Sequence, residues 1–234
     1  MNDLERLVKY WNDAFSYDGT MEVNKEEYKS LAPSVKLYEA VAKLAKKNNI
    51  LDYGTGHGWA SIILSRENAS NITAVDMAFN AIKMASNLAQ AYDAKNINFK
   101  VIDENFINED KGLYDGIVCS NVLDVIPLEI SKRILEYFNR VTTKDATIVI
   151  GLNYYLDLKD FKTNERTKID PPYFYVDDVL RLMSKTDDEW IDFFSLYFKV
   201  EKLDYFAWPE EKEEKRRLFI LSKKWQVLSF FSLH

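Results

Sequence analysis

Apolar residues recur at helical spacing over residues 3–16, where Leu4, Leu7, Val8, Trp11 and Phe15 share one face, and again from Val35 to Lys47. The chain is therefore predicted to open with two amphipathic helices. Short apolar runs then alternate with helical periods. Strands are predicted at 50–53, 72–76, 97–102, 114–120 and 146–151, and helices at 59–66, 78–92 and 128–139. Such alternation implies a parallel sheet covered by helices. Near the end the pattern changes, and strands near 198–206 and 217–222 are joined by Pro209 and the charged run 210–215, as in a terminal hairpin. Between the fifth strand and that hairpin runs a long aromatic-rich excursion, from Gly151-Leu152-Asn153-Tyr154-Tyr155 to Pro171-Pro172-Tyr173-Phe174-Tyr175. A connection of that length at this rim commonly carries substrate contacts.

The stretch Ile50-Leu51-Asp52-Tyr53-Gly54-Thr55-Gly56-His57-Gly58-Trp59 places three of the chain's seven glycines within five residues, directly after the first strand. A turn this rich in glycine can adopt positive φ and let a ligand lie against bare main chain. A helix starting near Trp59 would aim unpaired N–H groups and the positive end of its dipole at an anionic group. Spacing excludes two other nucleotide loops: no Gly-Lys-Ser/Thr follows, and Trp59 stands where the dinucleotide fingerprint needs glycine.

Later strand ends extend the pattern. Asn71-Ile72-Thr73-Ala74-Val75-Asp76 ends in an acid, Ile97–Ile102 ends at Asp103-Glu104, and Tyr114–Asn121 runs into Val122-Leu123-Asp124-Val125-Ile126-Pro127. In this order, over residues 35–151, the motifs resemble class I S-adenosylmethionine-dependent methyltransferases. The resemblance implies a Rossmann-like fold: a seven-stranded, mostly parallel sheet with helices on both faces, an antiparallel C-terminal hairpin and added N-terminal helices. It implies that Gly54, Gly56 and Gly58 cradle the amino-acid end of the cofactor while Asp52 orients the turn or meets the ammonium. Asp76, followed by Met77, would hold the ribose hydroxyls, since a carboxylate accepts two strong hydrogen bonds. Asp103 and Glu104 would meet the adenine, and Asn121 and Leu123 would flank the methionine arm. Similar sequences often carry His where Asp124 stands, which leaves that residue's role open.

The 234 residues suit one domain, divided into N-terminal helices and a candidate lid (1–48), a cofactor core (49–151), an acceptor-side insertion (152–195), and a hairpin with its tail (196–234). No apolar run approaches the roughly twenty residues of a membrane span, and the N-terminus lacks a basic-then-apolar leader, so a cytoplasmic protein is expected. Cys119, the single cysteine, lies in the apolar fourth strand and reads as a buried hydrophobe. With only His57 and His234 beside it, zinc is not expected and no metal ligands are assigned. The net charge of -6 argues against a nucleic-acid substrate, and Lys215-Arg216-Arg217 reads as part of a solvated loop. Asp170-Pro171-Pro172-Tyr173 matches the tetrapeptide with which amino-group DNA methyltransferases grip a base, but its place after Thr163–Lys168, which shows no strand pattern, favours a rigid turn.

The expected activity is methyl transfer from S-adenosylmethionine, leaving S-adenosylhomocysteine, to an O, N, S or C nucleophile of a small molecule. Asp124, His57, Tyr154 and Tyr155 are the candidates for a general base. The N-terminal helix, with Tyr10, Trp11, Phe15 and Tyr17, is either a lid over the acceptor or simple core packing. The protein is expected to be a monomer or homodimer, with the apolar tail 225–234 packed against the sheet or a second subunit. A nucleic-acid or protein methyltransferase would share every cofactor motif, and a non-catalytic cofactor-binding or partner subunit is the third reading. A basic groove at the pocket mouth would mark the second, and a pocket plugged by Tyr154 or Trp11 the last.

Overall fold

The computed structural model describes residues 2–16, 22–159 and 161–224. Tyr17, His234 and the tail 225–234 therefore lie outside the described residues. The first helix, α1 (Asp3–Ala14), starts with a capping box in which Asn2 and Glu5 exchange side-chain and backbone hydrogen bonds. A 3-10 helix (Lys25–Leu31) and α2 (Val35–Leu44) precede the sheet. Then follow β1 (Asn49–Tyr53), α3 (Trp59–Arg66), β2 (Asn71–Asp76), α4 (Phe79–Ala91), β3 (Ile97–Val101), the single turn α5 (Phe106–Glu109), β4 (Tyr114–Ser120), α6 (Leu128–Val141) and β5 (Thr142–Leu152).

The excursion after β5 is not a structureless loop. It forms β6 (Thr167–Asp170), β7 (Tyr173–Val176) and β8 (Val179–Met183), a separate three-stranded antiparallel sheet, and then α7 (Asp187–Ser195). Pro171 and Pro172 are the two residues that turn β6 into β7, so the rigid-turn reading fits, whereas the expected absence of a strand over 163–168 is corrected: Thr167 and Lys168 pair with Val176 and Tyr175. The chain ends in β9 (Phe198–Phe206) and β10 (Arg216–Lys223).

The main sheet has the order β3-β2-β1-β4-β5-β10-β9, parallel except for β10, which runs antiparallel to both its neighbours. Neighbouring residues of the central strands point to opposite faces. Ile50, Val118 and Val149 pack on α2 and α3, while Leu51, Ile117, Cys119, Ile148 and Ile150 pack on α6 and α7. Cys119 is fully buried there as a small apolar side chain. With both faces covered, Ile50-Leu51 of β1 and Ile117-Val118-Cys119 of β4 are consecutive apolar residues rather than alternating ones, as a parallel sheet favours. No helix among the described residues is long and apolar enough to cross a membrane.

Candidate functional site

Strand order reverses between β1 and β4, and a doubly wound sheet opens a crevice beyond the carboxyl ends of its strands at such a point. The glycine turn closes one side of it. Gly54 and Thr55 donate their backbone N–H groups to the Val75 carbonyl at 2.9 and 3.0 Å, which ties the turn to β2. Gly54, Gly56 and Gly58 all have positive φ.

Asp52 lies behind this turn. Only 3% exposed, it accepts the Thr55 and Ser61 hydroxyls, each at 2.6 Å, and so joins β1 to the first turn of α3. Burial raises its pKa, against the pull of those bonds. Of its two expected roles, orienting the turn matches this position and meeting the ammonium does not. Gly58 is likewise turned away, packed on Ala85 of α4, and Leu123 is fully buried with its carbonyl taken by Ser131. These three expected cofactor contacts are therefore not on the cavity wall.

The wall itself encloses about 310 Å³ and includes Gly54, Gly56, His57, Asp76, Met77, Asp103, Glu104 and Asn121, near the lower end of the range of ligand pockets. Asp76 accepts the Gly56 N–H through Oδ2 and the Ala78 N–H through Oδ1, both at 2.9 Å, which leaves further lone pairs on each oxygen. Asn121, at φ 56°, carries a buried Oδ1 with no hydrogen-bond partner among the described residues. The polar part of the wall is thus rich in acceptors. It fits a ligand offering a diol, an exocyclic amine and an ammonium, as S-adenosylmethionine does.

Helix α1 roofs the cavity with Leu4, Leu7, Val8 and Trp11, continued by Phe15 just after its end, so the face with core spacing is the one turned to the cavity, and of the lid residues Trp11 and Phe15 share it while Tyr10 does not. Two bonds of 2.9 Å between Asn12 and Asn80 hold the roof to α4. On the other side, Tyr10 lies against Arg181 of β8, whose guanidinium is 4.3 Å from the ring centroid. Trp208, which no motif singled out, also borders the cavity. The Arg216 guanidinium covers its ring at 3.5 Å.

Arg216 and Arg217 overturn the solvated-loop reading of 215–217. They are 6% and 3% exposed. Arg216 pairs with Glu211 and donates to Asn153 Oδ1, and Arg217 pairs with Asp187 and donates to the Asn153 and Lys185 carbonyls. Their charges are satisfied internally, which is what burial of a guanidinium demands.

Among the four candidate bases, His57 alone borders this cavity. Burial lowers its pKa, so it is neutral at pH 7. Tyr154 and Tyr155 are exposed and line a separate, open cavity with Thr186, Asp187 and Tyr205. Asp124 is 1% exposed and is not on the wall. Its Oδ2 accepts both the backbone and side-chain N–H groups of Asn153, at 2.6 and 2.9 Å, while Oδ1 is buried with no partner among the described residues. It is a structural link between the loop after β4 and the end of β5.

Burial raises the Asp124 pKa above its ordinary 3.8. Its contribution to folding is therefore fully present below the unfolded value and is lost as pH rises through the folded one. Asp124→Asn keeps an acceptor for Asn153 and removes the buried charge. Stability near neutral pH should rise by on the order of 1 kcal/mol, and the advantage should shrink in acid. Urea unfolding over a pH series from neutral into the acid range measures this; a difference that stays constant throughout would mean the carboxylate carries no burial penalty.

A family model described as a methyltransferase domain matches residues 25–152, more than half of the chain. Among curated proteins, the ribosomal protein L11 methyltransferase of Thermotoga petrophila is 32% identical over 108 residues, which are 46% of this chain and 38% of that protein. The mouse EEF1A lysine methyltransferase 2 is 35% identical over 86 residues, 32% of this chain and 34% of that protein. The matches thus span little more than a third of these relatives' length. Among solved structures, the magnesium protoporphyrin IX methyltransferase of Synechocystis, with S-adenosylmethionine bound, superposes with a TM-score of 0.65 at 13% identity, covering 96% of this chain and 98% of that one. An S-adenosylmethionine-dependent methyltransferase from Clostridium acetobutylicum gives 0.62, also at 13% identity, over 95% and 99%. At such identities the likeness is one of fold. Matched family model, strand order and glycine turn agree, and the chain belongs to the class I S-adenosylmethionine-dependent methyltransferases.

Proposed function

We propose that this protein, acting in the cytoplasm, transfers the methyl group of S-adenosylmethionine to a nucleophile on a small molecule held beneath α1. One observation carries the reading: the acceptor-rich strand ends open into a cavity that an apolar helix roofs, so the reacting groups would meet out of contact with bulk water. Asp76 would take the ribose hydroxyls, with Met77 beside it, and Asp103 with Glu104 the adenine amino group. The bare main chain of Gly54 and Gly56, together with the unpartnered Asn121 Oδ1, would receive the amino-acid arm.

The bound cofactor supplies a methyl already activated by its sulfonium. What these residues then contribute is alignment, an effect worth roughly 7–11 kcal/mol in well-oriented systems. Neutral His57 is placed to take a proton at a ring nitrogen when the acceptor enters as an alcohol or ammonium. Trp11, Phe15, Trp59 and Trp208 give the wall aromatic faces, which suit an apolar or ring-bearing acceptor. The charged side chains on the wall are Asp76, Asp103, Glu104 and Arg133, so the described mouth carries no continuous basic groove for nucleic acid.

A protein acceptor is the second reading, favoured by curated relatives whose names specify ribosomal protein L11 and an EEF1A lysine. Their likeness is confined to about a third of their length. The test has two stages. Calorimetric titration should show binding of S-adenosylmethionine and S-adenosylhomocysteine; binding of neither would remove the reading. Radiolabelled methyl transfer to a cell extract divided by dialysis should then label the dialysable fraction, and label confined to protein would move the second reading into first place.

A further inference from the structure

Helix α6 places Ile130, Arg133 and Ile134 at i, i+3 and i+4, and all three border the cofactor cavity. Arg133 is an exposed residue that borders the cavity. Among the described residues, no carboxylate or carbonyl pairs with its guanidinium. This is unusual company for an unpaired cation, because Asp76, Asp103 and Glu104 border the same space and His57 is neutral. Of the other arginines near the site, Arg216 and Arg217 are engaged by Glu211, Asp187 and Asn153, and Arg181 lies over the rings of Tyr10 and Trp11.

Two contacts place α6 against α5, whose Ile107 also borders the cavity. Tyr137, one turn further along α6, packs edge-on against Phe106 of α5 at 5.9 Å between centroids, and Arg140 donates to the Ile107 carbonyl. The helix therefore lies beside the segment that follows Asp103 and Glu104, and its Tyr137 and Phe138 also pack on Tyr53 at the end of β1. The charge also reaches inward. Burial raises the Tyr53 hydroxyl pKa, and Arg133 is the group that pulls it back.

We propose that Arg133 is a cofactor-binding residue that holds the adenine ring from the side opposite Asp103. The inference rests on the methyltransferase reading above. Adenine suits this pair chemically: its exocyclic amine donates to a carboxylate, while its electron-rich face and ring nitrogens attract a planar guanidinium. A guanidinium that stays unpaired until the ring arrives loses no internal partner on binding.

The experiment is calorimetric titration of the parent, Arg133→Ala and Arg133→Lys with two probes, S-adenosylhomocysteine and 5′-methylthioadenosine, which has the adenosine but lacks the amino-acid arm. Arg133→Ala should weaken both by about tenfold, the effect expected of a desolvated cation on an aromatic face. Arg133→Lys, which keeps charge but not the planar fork, should fall between. Unchanged affinity for S-adenosylhomocysteine in Arg133→Ala would overturn the proposal. So would a loss seen with S-adenosylhomocysteine alone, because the arginine would then be holding the carboxylate of the amino-acid arm. A parent that binds neither probe would instead overturn the cofactor reading itself.

Discussion

Gly58→Ala is expected to lower the melting midpoint by roughly 6–12 °C. Gly58 caps the start of α3 at φ 84°, and its carbonyl accepts the first backbone bond of that helix, from Ile62 at 2.9 Å. An L-residue held in the left-handed region costs about 1–2 kcal/mol. The new methyl would also stand 2.9 Å from Ala85 Cβ and 3.3 Å from Ala85 Cα. Neither neighbour can rotate away, since one is a methyl fixed to its backbone and the other is backbone. Overpacking of that kind adds about 1–3 kcal/mol. A combined loss of about 3 kcal/mol, at 2–4 °C per kcal/mol for a chain of this size, sets the expected range. Gly56→Ala is the internal comparison. At φ 55° it carries the same left-handed cost of about 1–2 kcal/mol, but its added methyl meets only the tip of Phe15, at 3.2 Å, a ring of the roof, so it should cost the fold less than Gly58→Ala and should disturb the ligand cavity as well. Calorimetric melts of both variants check the pair. A Gly58→Ala protein melting within about 2 °C of the parent would mean that α4 yields freely.

The glycine turn and the parallel core are legible in the sequence for a physical reason. Strands buried on both faces must be apolar throughout, and three left-handed residues in five are practical only for glycine. The small sheet is not legible, because β6 and β7 are four residues each and none of their residues is buried, so no apolar period marks them. Helix α7 does carry a signal: Thr186 and Glu189 form a capping box, the spacing that announces a helix start. Buried charge is harder. Nothing in Lys215-Arg216-Arg217 distinguishes the two side chains that find Glu211, Asp187 and Asn153 from one left in solvent, because those partners arrive from 5 to 64 residues away. Asp124 shows the same limit at short range. It follows Asn121 by three residues, yet the chain turns after β4 so that Asn121 borders the cavity while Asp124 faces Asn153 behind it. Proximity in sequence to a site residue does not decide which way a loop side chain points.

Asp76→Ala should weaken S-adenosylhomocysteine binding by on the order of a hundredfold or more. On the proposed assignment the variant loses charge-assisted bonds to two ribose hydroxyls, each worth about 1.5–3 kcal/mol. It also strands the Gly56 and Ala78 N–H groups that Asp76 now accepts at 2.9 Å, loosening the turn against which the amino-acid arm would lie. Asp76→Asn, with one acceptor in place of two, should lose less. Acid separates this effect from simple unfolding. Burial raises the Asp76 pKa above 3.8 in the free protein, so its contribution to folding is greatest below that value and is lost as pH rises through the folded one. Binding runs the other way, because a protonated Asp76 surrenders acceptor capacity to the diol. Parent affinity should therefore fall on acidification, at a higher pH than an ordinary aspartate would set, while this group's own effect on folding becomes more favourable. Titrations and melts at matched pH values test both signs. Asp76→Ala should have a flatter affinity profile; an equally steep one would assign the acid sensitivity, and the ribose contact with it, to another group.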